Sequence, residues 1–281
     1  MSLTQVLGTV FGLISAVTWG GGDFSGGLAT RRMSQFQAVT AGAVSGLAIL
    51  LCLALLLGEP MPSPADVLWS GLAGVAAAGG LALLYHGLAV GSSAIVAPTS
   101  AVIGAIVPVL FGSLVEGLPQ TTQLLGFVAG VLGIWLVTRS GSSRGMGDRR
   151  GLGSGAVAGI GFGGYFVLIA QVQPGAVFAP VGVAKIVALI LGVGVLAARR
   201  EGPPSLRSLP IALLAGILDA AGNVFYVLAQ HATRLDVAAV LSSMYPAFTV
   251  ILAYFVLGER ISAAQWVGLA LAMVAVSLIA L

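Results

Sequence analysis

Long apolar runs alternate with short polar interruptions along the whole chain. Breaking it at charges, prolines and Gly/Ser clusters leaves ten segments. They run near 4–29, 35–57, 66–90, 93–115, 120–139, 151–171, 176–198, 207–230, 234–257 and 262–281. A helix needs about 20 mostly apolar residues to span a bilayer, and these segments meet that length. Open strands cannot span lipid, because their edge N–H and C=O groups would go unpaired. The expected fold is therefore an all-α polytopic membrane protein with ten transmembrane helices. The longest polar stretch, RSGSSRGMGDRR from Arg139 to Arg150, divides the chain almost in half. It predicts a first five-helix repeat over 1–139, a polar linker over 140–150 and a second repeat over 151–281.

The two halves resemble each other at an offset of 142–143 residues. GGDF at Gly21–Phe24 aligns with GGYF at Gly163–Phe166. Ser100, Val107, Leu114 and Glu116 align with Ser243, Val250, Leu257 and Glu259, and Gly126 with Gly268. Five is an odd number of crossings, so the second copy inserts upside down. Inverted repeats place a binding site near the bilayer midplane, between the halves.

Composition agrees. The chain is 58% hydrophobic and 7% charged, with mean hydropathy +1.07, whereas soluble domains carry about 25% charged residues. The net charge of +3 is too small and scattered for a nucleic-acid partner. The single Cys52 excludes an internal disulfide. No basic stretch precedes the first apolar run, which reads as a retained helix. Arg31, Arg32, Arg139, Arg144, Arg149, Arg150, Arg199, Arg200, Arg207 and Arg260 all fall after odd-numbered helices, and only Arg234 lies on the opposite side. The positive-inside rule then predicts a bacterial inner (cytoplasmic) membrane protein with Arg-rich loops in the cytoplasm and both termini outside.

Ionisable groups inside a membrane are costly and need a reason. Lys185 and Asp219 fall within helices 7 and 8, at depths that permit a pair. Either they form a structural ion pair, or they face a wet cavity. There Lys185 meets a substrate carboxylate, and Asp219 an ammonium or a coupling proton. Asp219, Asn223, Tyr226 and Gln230 follow helical spacing and form one polar stripe, read as a cavity wall or as interhelical hydrogen bonding. Trp19 and Asp23 are one turn apart on helix 1. They suit an amine through cation–π and charge attraction, or else an interfacial tryptophan beside an aspartate paired with Arg31 or Arg32. Tyr85, Ser100 and Tyr245 complete the candidate lining. His86 reads as interfacial. Pro108 and Pro246, in related helices, predict paired hinges. Glycines spaced by four, Gly155, Gly159 and Gly163, or Gly126 and Gly130, predict close helix packing.

Several motifs fail their context. Gly159-Ile-Gly161-Phe-Gly163-Gly164 satisfies G-x-G-x-x-G but lies within an apolar span, which excludes a nucleotide loop. Gly145-Met-Gly147-Asp148 resembles an intramembrane aspartyl protease motif but sits in the linker without a partner aspartate. No H-E-x-x-H, P-loop or Cys/His metal cluster occurs, so no metal, cofactor or ATP-driven step is expected.

The last third carries LSSMYPAFTVILAYFVLGERISAAQWVGLALAMVAVSLIAL, with an aromatic–proline step, an apolar run ending in Gly-Glu-Arg and a Gln-x-x-Gly helix. A degraded copy, APTSAVIGAIVPVLFGSLVEGLPQTTQLLG, lies in the first half, where Val115-Glu116 replaces Gly-Glu. With the opening TWGGGDFSGGLATRR, the whole chain resembles the EamA family of the drug/metabolite transporter superfamily. The resemblance implies alternating access and a small organic solute rather than enzymatic turnover. Amino acids or related amphipathic solutes, exported against protons by a monomer, are the expected traffic. A carrier of organic cations is the alternative, and an intramembrane enzyme a distant one.

Overall fold

The computed structural model describes residues 3–90, 93–138 and 149–279. Among them the chain is wholly helical. The helices are α1 (Leu3–Ala29), α2 (Gln35–Leu56), α3 (Pro64–Val90), α4 (Ser93–Val115), α5 (Thr121–Thr138), α6 (Arg149–Ile169), α7 (Phe178–Arg199), α8 (Leu209–Ala232), α9 (Leu235–Ser242), α10 (Tyr245–Leu257) and α11 (Ala263–Ile279). Nine described segments are long and apolar enough to cross a membrane, with α9 and α10 together forming one of them, and α11 is a shorter apolar helix. Residues 140–148 of the expected 140–150 linker lie outside the described residues.

Packing follows an internal two-fold relation. Helix α1 packs on α8 as α6 packs on α3, and α2 packs on α8 as α7 packs on α3. Helix α4 lies on α6 as α9 and α10 lie on α1, while α2–α7 and α5–α11 pair with their own counterparts. The spaced glycines allow these crossings. A Cβ on Gly155, Gly159 or Gly163 would strike Val96, Ser100 with Ile103, or Val107 of α4. The Gln-x-x-Gly pattern is also explained. Gln265 receives the Ser262 N–H at 3.0 Å and donates to the Val137 carbonyl at 3.2 Å, and Gly268 meets Gly133.

The predicted ninth helix is not continuous. It breaks at Ser243–Met244, and Pro246 stands in the first turn of α10, where its missing N–H costs no helical bond. Pro108, by contrast, lies inside an unbroken α4. The two prolines of the expected hinge pair therefore play different local parts.

The bundle has two unlike ends. Glu59, Asp66, Glu116, Arg234 and Asp236 gather at one, here called the acidic end. Arg31, Arg32, Arg199, Arg200, Arg207 and Arg260 lie at the other, the arginine end. Among the residues whose burial is described, burial concentrates toward the acidic end. Ile169, Val172, Val181, Ala184, Val227, Ala229, Ala238 and Ala239 form one core there, and every residue of α9 is buried. Helix α7 has no buried residue past Ala184. At the arginine end a smaller cluster of Ala29, Met33, Ala38 and Ala212 joins α1, α2 and α8, and Gly27 faces open space.

Candidate functional site

Lys185 is the eighth residue of α7 and Asp219 the eleventh of α8. Helices α7 and α8 scarcely pack on each other, yet the Lys185 Nζ reaches across to the Asp219 carboxylate. Asn223, one turn along α8, donates its amide to the Asp219 carbonyl at 2.6 Å and to its Oδ1 at 3.2 Å. The pair is only partly closed off. The Lys185 side chain is 15% exposed, but that of Asp219 is 43% exposed.

Helix α1 brings the second carboxylate. Gly22 has no side chain, so α1 lies against the α8 backbone at Asp219, where a Cβ would come 3.4 Å from the Asp219 nitrogen. Asp23 follows it, exposed and within electrostatic reach of Asp219. No described hydrogen bond or ion pair joins Asp23 to Arg31, Arg32 or any other cation.

Trp19 stands one turn above Asp23. Its indole lies against Gly222 of α8, where a Cβ would collide with the ring. The indole ring centroid is 5.6 Å from Phe166, 6.2 Å from Tyr226 and 6.2 Å from Tyr245. Phe166 and Tyr226 are closer still, at 4.6 Å, and the Tyr226 hydroxyl donates to the Phe166 carbonyl at 3.0 Å. Offset and edge geometries such as these suit aromatic pairs. Their effect here is a stiff aromatic wall spanning α1, α6, α8 and α10 beside the charged groups.

Tyr165 was not among the expected site residues, although the sequence carried a signal for it. In the GGDF/GGYF alignment it occupies the repeat position of Asp23. The structure gives the two residues matching places, since both lie within electrostatic reach of Asp219. Tyr165 is 7% exposed, and its buried hydroxyl has no hydrogen-bond partner among the described residues.

Trp19, Asp23, Lys185, Asp219, Asn223, Tyr226 and Tyr245 thus converge. Tyr226 is fully buried and forms the back of the wall. Ser100 does not join them: it is buried, donates to the Ala97 carbonyl of its own helix at 3.1 Å and lies at the α4–α6 crossing. The side chain of Tyr85 lies outside the described residues. Gln230 ends the α8 stripe near the acidic end, where its amide nitrogen is buried without a hydrogen-bond partner among the described residues. The coupling-proton role of Asp219 and the hinge roles of Pro108 and Pro246 are functional assignments beyond this geometry.

A match to a family model covers almost the entire chain. The EamA-like transporter family model matches residues 6–139 and again 149–281. The chain belongs to the EamA-like transporter family. As an EamA-like chain it is a multi-pass membrane transporter built from two family repeats. One solved structure, described only as "Crystal structure of protein", superposes with a TM-score of 0.80 at 18% identity. The match covers 97% of this chain and 97% of that one, which shows a shared fold. No curated protein sequence matches.

The acidic end of this EamA-like bundle carries a second charged group that sequence reading missed. Arg234 binds the Asp236 carboxylate at 2.7 Å and donates to the Glu116 and Gly117 carbonyls at 3.2 and 2.7 Å. The Glu116 carboxylate accepts the Leu235 N–H at 3.1 Å, at the start of α9. Burial holds the Glu116 carboxyl above its ordinary value, although the Leu235 N–H pulls it down. The hydrogen bond from Arg234 to Asp236 raises the guanidinium further above its usual range. This network ties the end of α4 to the start of α9 where the core is densest.

Proposed function

We propose that this protein is a secondary active transporter that exports amino acids or related amphipathic solutes by alternating access, coupled to protons. The observation that carries the reading is the Lys185–Asp219 pair. A pair that existed only for packing would be expected between tightly packed helices. This one bridges two helices that hardly touch, next to an aromatic wall and a carboxylate with no ion-pair partner among the described residues. Both charge signs are then available, Lys185 for a substrate carboxylate and Asp23 for its ammonium. Among the described residues, the density of core at the acidic end, against its thinness at the arginine end, fits a state open toward the arginine end. With Arg-rich loops in the cytoplasm of a bacterial inner membrane, that is the inward-facing state of an exporter awaiting its load.

The test is flux. The purified chain in liposomes should exchange labelled phenylalanine or a related amino acid, faster with an opposing proton gradient. Failure of a broad amino-acid and amine panel to show any flux sinks this reading. A second reading, a carrier of organic cations, is favoured by one observation: the two carboxylates outnumber the single lysine. It predicts flux of quaternary amines that zwitterions do not inhibit.

A further inference from the structure

Resting on that transport reading, we propose that Asp23 is the ammonium subsite and the proton carrier of this protein. The assignment starts from which charge is already answered. Asp219 has Lys185 across the gap and Asn223 beside it, so a second cation gains little there. Asp23 has no described partner, although it sits within a span where an unanswered charge is costly. Two things can answer it, a cation from the substrate or a proton, and they exclude each other.

The surroundings fit an ammonium head. The indole of Trp19 lies one turn away on the same helix, and Tyr245 stands edge-on to it, within electrostatic reach of Asp23. Aromatic faces beside a carboxylate attract organic cations. On the repeat-related helix, the Tyr165 hydroxyl has no hydrogen-bond partner among the described residues and lies within electrostatic reach of Asp219. The charged and titratable groups around Asp23 are few. Asp219 faces it from α8, with Lys185 behind from α7 and Tyr245 from α10, while Tyr165 of α6 reaches Asp219 instead. Arg31 and Arg32 lie beyond the end of α1. Asp236 of α9 is at the acidic end and already bound by Arg234.

The exchange balances simply. A protonated Asp23 meets R–NH3+ and gives up its proton to water. Its carboxylate then holds the ammonium, one proton leaving per cation bound, with no redox change. Release of the solute on the far side lets a proton return. The residue shared by substrate and proton is thus Asp23, while Asp219 serves as the fixed anchor of Lys185.

The test uses the full-length chain in weakly buffered detergent, with phenethylammonium chloride and L-phenylalanine as probes. Binding is followed by calorimetry and protons by a pH-sensitive dye. The wild type should release protons in proportion to the probe bound. Asp23→Asn should bind about tenfold or more weakly, since a charge-assisted contact is lost, and should release none. Asp23→Glu should restore release, which separates loss of the carboxylate from loss of the fold. Release with either probe supports the assignment. No binding of either probe, binding without release, or release undiminished in Asp23→Asn overturns it. Amino-acid flux without proton release would overturn the role of Asp23 and leave transport standing, whereas absence of all flux overturns the transport reading itself.

Discussion

Removing one member of the Lys185–Asp219 pair leaves a charge inside the bundle with nothing to answer it. For a fully buried pair that costs about 3–5 kcal/mol. Asp219 is partly exposed, so solvent screens it and the loss should fall to about 1–3 kcal/mol. We expect Lys185→Met and Asp219→Leu each to lower the melting temperature in detergent. The double variant should recover most of that loss while remaining inactive in flux. Recovery of flux with recovery of stability would make the pair purely structural. At this scale the sequence was informative for charged residues, because a lysine and two aspartates in apolar spans stand out. Its signal for Tyr165 lay only in the GGDF/GGYF repeat, because taken alone the ring looks like core. The sequence did not show that Ser100 lies at the α4–α6 crossing, because helical spacing shows which residues share a face but not which neighbour covers it.

At the scale of elements, helix ends decide much of the architecture. Glu59, just past α2, accepts the N–H groups of Val177, Phe178 (3.0 Å) and Ala179 (2.6 Å) at the start of α7. Those are orphan donors that α7 cannot satisfy itself. The mirror arrangement closes the other end. Ser34 caps α2, and its hydroxyl donates to Glu201, just past α7, while Gln37 donates to the Gly202 carbonyl at 2.8 Å. A carboxylate at a helix N-terminus also answers the helix dipole. Glu59→Ala should therefore cost about 1–2 kcal/mol, read as a lower melting temperature, with hydrogen exchange rising first at residues 177–180. Unchanged exchange there would deny the cap its role. Helix existence was legible from apolar run length, but these caps were not, because each joins residues more than a hundred positions apart. The break between α9 and α10 was hidden for a related reason: the apolar run continues through it, and only the Tyr245–Pro246 step marks it.

For the whole molecule, the unequal burial of the two ends makes a labelling prediction. With Cys52→Ser as background, a cysteine at Gly27 should react with a membrane-impermeant maleimide applied from the arginine-rich side. One at the fully buried Ala238 should resist reagent from either side until substrate is cycled. The reverse pattern would mean that the dense end is the one that opens. The two-fold relation of the fold was readable from the odd helix count and the shared GGDF/GGYF and Gln-x-x-Gly patterns. Which end is sealed was not readable, since both halves carry similar apolar lengths and the asymmetry arises only from how α9 and the ends of α6 and α8 interleave.

The crossed caps of α2 and α7 carry a consequence for biogenesis. Each half of the polypeptide ends a helix with a carboxylate whose N–H or hydroxyl partners belong to the other half. A ribosome that has finished only the first five helices has therefore inserted a Glu59 with no donors and a Ser34 with no acceptor. Such an intermediate is complete in hydrophobicity but unfinished in polarity, a natural client for membrane quality control until α7 arrives. Coexpressed as separate chains, the two halves should find each other and accumulate together, while either alone should be degraded.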